Sequence, residues 1–283
     1  MSSQTGDTDR AARVYDLALP AADYTAWNGP PQRTLIVCTQ QRCGSTLLGE
    51  AIYFAGGLGC PLEYFHSGVR PVFARRWAAA DIRTYAAAVH RFRTDETGVF
   101  GVKLFWQDVM DLVRELAPGE QSAFPSLGAA RSVDATYRRV LETIAELFPQ
   151  PTFVFLRRED KIRQAISHSI AGEMQQWRQF SGGGQAQPSA PTYDFDRIVQ
   201  TLAGAQNDDA HWRNFFRGNA LQPHEVRYED LESRYQRSVA ALFAALGCAN
   251  AKIISPRLQK QADSRSEALR QRFINEFYLR VRG

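Results

Sequence analysis

Arg42-Cys43-Gly44-Ser45-Thr46 places one cation, one glycine and two hydroxyls between two apolar patterns. Before it runs Leu35–Thr39, which reads as a short buried strand. After it Leu47, Leu48, Ala51, Ile52 and Ala55 follow at helical spacing. A strand, a tight turn and a helix aim the turn's free backbone N–H groups at an anion. The spacing approaches the phosphate loop G-x-x-x-x-G-K-[ST] and departs from it twice. Thr39 stands at the first glycine and Ser45 at the lysine. In nucleoside triphosphatases that lysine reaches the β- and γ-phosphates, and the next hydroxyl holds magnesium. Here the pair Ser45-Thr46 remains and the cation is displaced to Arg42. Such a loop suits a 5′-phosphate without a γ-phosphate or a metal, as in a sulfonucleotide donor. Read alone, the segment also fits a strand–turn–helix whose glycine only makes the turn.

A second candidate anion site follows the apolar run Thr152–Leu156. That run leads into Arg157 and Arg158, then Glu159 and Asp160, then a helical stretch with Gln164, Ala165 and Ser167. In open parallel sheets, ligands bind outside the carboxyl ends of the strands. The guanidinium fork matches a phosphomonoester dianion. The same residues also fit a surface pair balanced by Glu159 and Asp160.

These loops need a sheet to position them. Strand-like runs recur at Leu35–Thr39, Val99–Trp106, Thr152–Leu156 and Val226–Tyr228. Helical patterns fall at Ser45–Ala55, Val109–Leu116, Asp134–Phe148, Asp160–Trp177, Asp194–Phe216, Leu231–Leu246 and Ser264–Tyr278. Tyr137, Val140, Leu141, Ile144, Leu147 and Phe148 share one helix face, and Pro149 and Pro151 stop that helix. Strands alternating with helices predict an α/β fold, a central mostly parallel sheet flanked by helices in a P-loop-like architecture. The predicted organisation is a loosely attached polar arm over 1–28 and a single domain over 29–283. Within it, 178–193 is rich in glycine and proline and reads as a flexible connection or a lid.

The chain has 283 residues, 44% of them hydrophobic, enough for a large core. No apolar stretch approaches the ~20 residues of a membrane helix. With no apolar leader at the start, a cytoplasmic location is expected. The net charge of +4 is mild, and arginine far outnumbers lysine. No basic run interleaved with aromatics marks a nucleic-acid surface. Cys38, Cys43, Cys60 and Cys248 lack metal-ligand spacing, so reduced thiols and no metal are expected.

Q-R-C-G-S-T-L-L at Gln41–Leu48 resembles the Q-R-[ST]-G-S-T-[LW]-L of the bacterial trehalose 2-sulfotransferase family, whose donor is 3′-phosphoadenosine 5′-phosphosulfate (PAPS). R-R-x-D-x-x-x-Q-A-x-S at Arg157–Ser167 resembles that family's 3′-phosphate motif. Gly59-Cys60-Pro61-Leu62-Glu63-Tyr64-Phe65 resembles its G-x-P-x-E-[FY]-F. Further matches are Gly101–Trp106, His211–Phe216, Tyr228–Leu231 and Gln261–Ser266, so the likeness runs from about Thr34 to Phe273. It implies a sulfotransferase that moves a sulfuryl group from PAPS to a hydroxyl of a sugar, glycolipid or other small molecule, releasing adenosine 3′,5′-bisphosphate. By that resemblance Gln41, Arg42, Cys43, Gly44, Ser45 and Thr46 hold the 5′-phosphate. Arg158 and Ser167 hold the 3′-phosphate, and Glu63 is the general base. A homodimer is also implied.

Eukaryotic-type sulfotransferases carry a K-x-H pattern after the second strand. Here Lys103-Leu104-Phe105 keeps the lysine and loses the histidine, which favours a carboxylate base. His66 is the fallback. Lys103 either reaches the transferring sulfonate or pairs with a carboxylate at the strand end. Trp106, Trp177 and Trp212 form either a sugar-stacking wall or core packing. Lys260, Gln261 and Arg265 are candidates to close over the nucleotide. Cys60 stands where the trehalose enzyme has a glutamate, and a thiol cannot replace a carboxylate as acceptor of sugar hydroxyls. That puts trehalose in question. The alternative readings are a P-loop-like nucleotide kinase or NTPase, and a nucleotide-binding protein without catalysis.

Overall fold

The structure is a computed structural model and describes residues 15–117, 133–174, 192–258 and 264–282. Its frame is a four-stranded sheet of β1 (Arg33–Thr39), β2 (Val99–Phe105), β3 (Pro151–Arg157) and β4 (His224–Arg227). The strand order is β2-β1-β3-β4 and every pairing is parallel. From β1 the chain passes to β2 on one side, and from β3 to β4 on the other. The crevice where the connections diverge therefore opens at the carboxyl ends of β1 and β3. Both candidate anion loops leave the sheet there.

A parallel sheet must be covered on both faces. Ile36, Cys38, Val102, Leu104, Phe153 and Phe155 face one core layer. It is completed by α4 (Trp106–Leu116), α5 (Val133–Leu147) and α7 (Phe195–Gly218), through residues such as Val109, Val140, Trp212 and Phe215. Leu35, Val37, Val154, Leu156 and Val226 face the other layer. There they meet Leu48, Ala51 and Ile52 of α1 (Ser45–Ala55) and Val239 and Phe243 of α9 (Tyr235–Ala245). A smaller core joins α6 (Lys161–Met174) to α7 and to α10 (Ser264–Arg282) through Ile166, Ile198 and Phe273.

Several elements differ from the sequence reading. Helices α2 (Arg70–Arg76) and α3 (Ile82–Arg93) lie in a stretch read without a helix. Asp81 starts α3 by accepting the Arg83 and Thr84 N–H groups at 2.8 and 3.0 Å. β2 stops at Phe105 rather than Trp106, because Trp106 opens α4 and Asp108 Oδ2 accepts the Phe105 N–H at 2.9 Å. The single helix expected over Leu231–Leu246 is two, α8 (Tyr228–Ser233) and α9, parted at Arg234, whose φ of −138° is not helical.

Residues 15–28 of the arm are held rather than loose. Tyr15 and Leu17 are buried, and the wholly buried Arg93 donates to the carbonyls of Leu17 and Ala22 at 2.7 and 3.2 Å. It also pairs with Asp23 at 2.7 Å. Residues 1–14, the 178–191 part of the expected loop or lid, Trp177, Lys260, Gln261 and the Arg265 side chain lie outside the described residues. Among the described residues, no helix is long and apolar enough to cross a membrane.

Candidate active site

The loop after β1 is shaped by two residues with left-handed backbone. Arg42 has φ +63° and Gly44 has φ +78°. Gly44 is required twice over: for its φ, and because an added Cβ would sit 2.8 Å from the Tyr228 ring. It is the N-cap of α1, and no side chain caps that helix end. The first-turn N–H groups thus stay available for an anion. Ser45 is buried and Thr46 half-buried beside them. Cys43 points into the core under α1, and burial pushes its thiol up to about 11. Only its backbone can serve a ligand.

A polar brace holds the loop from behind. Gln164 Nε2 of α6 donates to Gln40 Oε1 and to the Gln41 carbonyl, both at 2.9 Å. Lys161 Nζ lies 2.8 Å from Asp209 Oδ1 and 3.3 Å from Gln40 Oε1. Trp212 Nε1 donates to the Thr39 carbonyl at 3.2 Å. The four bonds to Gln40, Gln41 and Thr39 tie the end of β1 to two helices that follow β3.

The brace brings the two anion motifs together. Arg42 Nε donates to Ser167 Oγ at 3.0 Å across 125 positions of sequence. Arg158 Nη1 donates to the Arg42 carbonyl at 3.2 Å, and its guanidinium lies 4.3 Å from the Tyr228 ring centroid. The neighbouring arginine differs: Arg157 pairs with Glu159 at 3.1 Å and faces Asp209 at 3.9 Å. Its charge is met within the protein, whereas Arg158 has no carboxylate partner among the described residues.

Glu63 is placed by backbone pairing along the outer edge of β2. Leu62 bridges Val102 in parallel, and the Lys103 N–H donates to the Leu62 carbonyl at 2.9 Å. The approach is so close that a Cβ on Gly59 would fall 2.3 Å from the Gly101 nitrogen. Glu63 emerges at the carboxyl end of the sheet, 9% exposed, and accepts from the fully buried Lys103 Nζ at 2.7 Å. Of the two readings of Lys103, the structure shows the carboxylate pairing.

Further ionisable groups gather on this side. Burial pushes the Asp108 carboxyl up to about 8; the Phe105 N–H bond opposes the rise and the Glu63 charge adds to it. Asp208 of α7 is pushed up to about 6 by burial, with Lys161 pulling the other way. The His211 ring stacks parallel on Trp106 at 4.9 Å, and its Nδ1 lies 2.9 Å from the Tyr137 hydroxyl. His66 stands edge-on to Phe105 at 5.8 Å, and its Nδ1 accepts the Gly68 N–H at 3.1 Å. The sequence reading did not single out Asp108, Asp208 or His211 as site residues. No local spacing marks the two aspartates; His211 at least falls in a matched segment.

Two expectations are corrected. Trp212 is 0% exposed and Trp106 is 4% exposed, packed edge to face at 5.1 Å, so these two are core rather than an open stacking wall. Cys60 is also wholly buried, with Arg93 Nη1 4.0 Å from its sulfur. It faces the core, so its identity does not argue against trehalose. Among the described residues, no group of three or more His, Cys, Asp or Glu side chains is arranged to hold a metal ion.

The fold is a parallel α/β sheet with a loop suited to an anion after its first strand, arginines at the end of its third and a carboxyl group beside its second. Residues 34–276 match the family model described as Stf0 sulphotransferase, and the chain belongs to that family. It is similar to the trehalose 2-sulfotransferase of Mycobacterium tuberculosis, at 27% identity over 272 residues, covering 86% of this chain and 95% of that protein. It is similar also to the trehalose 2-sulfotransferase of Mycolicibacterium smegmatis, at 26% identity over 270 residues, covering 84% and 93%.

Proposed function

We propose that this chain moves a sulfuryl group from PAPS to a hydroxyl of a carbohydrate, with Glu63 as the general base. The observation that carries the proposal is the contact of Arg42 Nε with Ser167 Oγ at 3.0 Å, with Arg158 bonded to the Arg42 carbonyl. It joins a loop suited to a 5′-phosphate to residues suited to a 3′-phosphate. A donor carrying both groups accounts for the juxtaposition. The carbohydrate acceptor rests on the relatives, both named trehalose 2-sulfotransferase.

In this reading the α1 N-terminus and the Ser45 and Thr46 hydroxyls take the 5′-phosphate, and Arg158 and Ser167 take the 3′-phosphate. The acceptor oxygen attacks sulfur in line with the bond to the leaving phosphate oxygen. The S–O bond to the donor breaks with its electron pair on that oxygen, where the loop N–H groups and Arg42 stabilise the charge. The acceptor proton passes to Glu63. Lys103, bonded to Glu63 at 2.7 Å, holds the carboxyl group in place.

Calorimetric titration with adenosine 3′,5′-bisphosphate, and separately with ATP and magnesium, tests the donor. The bisphosphate is expected to bind and ATP to bind far more weakly. The reverse order would turn the reading toward a kinase.

A further inference from the structure

We infer that Glu229 is a positioning residue of the donor site: its carboxylate fixes the turn that presents Arg158 to the donor's 3′-phosphate. The inference rests on the proposed donor. β3 and β4 pair in parallel, and their last partners are Arg157 and Arg227. The next residues on each strand therefore leave the sheet side by side. Tyr228 and Glu229 open α8 alongside Arg158, Glu159 and Asp160, the turn that leads into α6.

The two side chains grip that turn in different ways. The Tyr228 ring centroid lies 4.3 Å from the Arg158 guanidinium. The same ring is what a Cβ on Gly44 would strike at 2.8 Å, so it touches both anion motifs. Glu229 reaches backbone instead. Its Oε1 accepts the Glu159 N–H at 3.0 Å and the Asp160 N–H at 3.2 Å. These two peptide units follow Arg158 directly. Asp160 in turn accepts the Arg163 N–H at 2.9 Å, so the start of α6 is set from the same turn. The direction in which Arg158 leaves the chain is thus fixed between the end of β3 and two charge-assisted bonds to Glu229.

Nearby cations do not account for this placement. Arg157 and Arg227, at the ends of the two strands, both face Glu159, at 3.1 and 3.6 Å. The Glu159 side chain takes the ion pairing while its N–H goes to Glu229. Without the Glu229 bonds the turn is free to carry the Arg158 guanidinium off the Arg42 carbonyl, which it reaches at 3.2 Å. A displacement of about an ångström is enough to spoil a forked guanidinium–phosphate contact.

Calorimetry on the full chain tests the inference by comparing adenosine 3′,5′-bisphosphate with adenosine 5′-monophosphate. The variants are Glu229→Ala, Glu229→Gln, and Glu229→Ala combined with Arg158→Ala. Glu229→Ala is expected to weaken the bisphosphate by roughly threefold to thirtyfold and the monophosphate by less than about twofold. Glu229→Gln keeps an oxygen for both N–H groups and should recover most of the preference. In the Arg158→Ala background, Glu229→Ala should cost the bisphosphate no more than about twofold further, because its effect passes through that arginine. Glu229→Leu fills the volume and accepts no bond, and it carries the same test if Glu229→Ala does not fold. An unchanged bisphosphate preference in Glu229→Ala would overturn the inference and leave the donor proposal standing. So would equal losses of both ligands, which assign Glu229 to the fold alone, or full additivity with Arg158→Ala. If the unaltered chain does not prefer the bisphosphate, the donor proposal itself fails and the inference with it.

Discussion

Beyond the carboxyl ends of β1 and β3 stand Arg42 and Arg158, in contact with each other. Beside β2 stand the carboxyl groups of Glu63 and Asp108. Arg42 and Arg158 are positioned by a serine hydroxyl, a carbonyl and a tyrosine ring. None of those partners cancels positive charge. On the β2 side, Glu63 is bonded to Lys103, and the buried Asp108 is driven toward its neutral form. A guanidinium such as that of Arg158, with no carboxylate partner among the described residues, suits an anion. A region that holds a lysine-bonded carboxyl group beside carboxyls of raised pKa is suited to accept a proton or a hydroxyl hydrogen bond. In the proposed function the two halves serve the two sides of a group transfer, donor and acceptor.

The largest effect that would break this comparison is at Glu63. Glu63→Gln keeps the volume and removes the basicity. Turnover is expected to fall by roughly 10²–10⁴-fold, with affinity for adenosine 3′,5′-bisphosphate nearly unchanged. Normal turnover in Glu63→Gln together with a dead His66→Ala would move the base to His66.

On the donor side, Arg158→Ala should weaken adenosine 3′,5′-bisphosphate by roughly 1.5–3 kcal/mol, the range for hydrogen bonds to charged groups. Adenosine 5′-monophosphate should be little affected. Arg157→Ala should change bisphosphate affinity by less than about threefold, because Glu159 and Asp209 already face that guanidinium. Equal losses from the two variants would erase the distinction drawn between the adjacent arginines.

A smaller effect sharpens the acceptor side. The Asp108 carboxyl sits at about 8 in the folded chain, against an ordinary value of 3.8. Between those limits the folded state holds a proton that the unfolded chain has released. The group's contribution to stability is therefore full at or below the ordinary value and is lost as pH rises through about 8. Asp108→Asn removes that loss and keeps an acceptor for the Phe105 N–H. Urea denaturation at a series of pH values should show the variant gaining on the unaltered chain as pH rises. A constant difference between the two would mean that Asp108 is ionised in the folded state.

The same division decides what was legible in the sequence. The donor side is built from contiguous segments, so the start of α1 at Ser45 and the arginines closing β3 could be read from spacing alone. The acceptor side is assembled from separate elements: the edge segment with Glu63, β2 with Lys103, α4 with Asp108 and α7 with Asp208 and His211. Nothing in the local pattern around Asp108 distinguishes a helix cap from a site residue, and here it caps α4 next to Glu63. Burial hid the fates of Trp106, Trp212 and Cys60, because residue type does not say which face of a layer a side chain meets. Arg234 broke a continuous apolar periodicity into two helices, which periodicity cannot show.

Labelled PAPS incubated with trehalose and a panel of related sugars tests the central claim most directly. The account predicts label on a sugar hydroxyl, with adenosine 3′,5′-bisphosphate released in equal amount and both products lost in Glu63→Gln. Label recovered only as free sulfate, or transfer to sugar undiminished in Glu63→Gln, would contradict it.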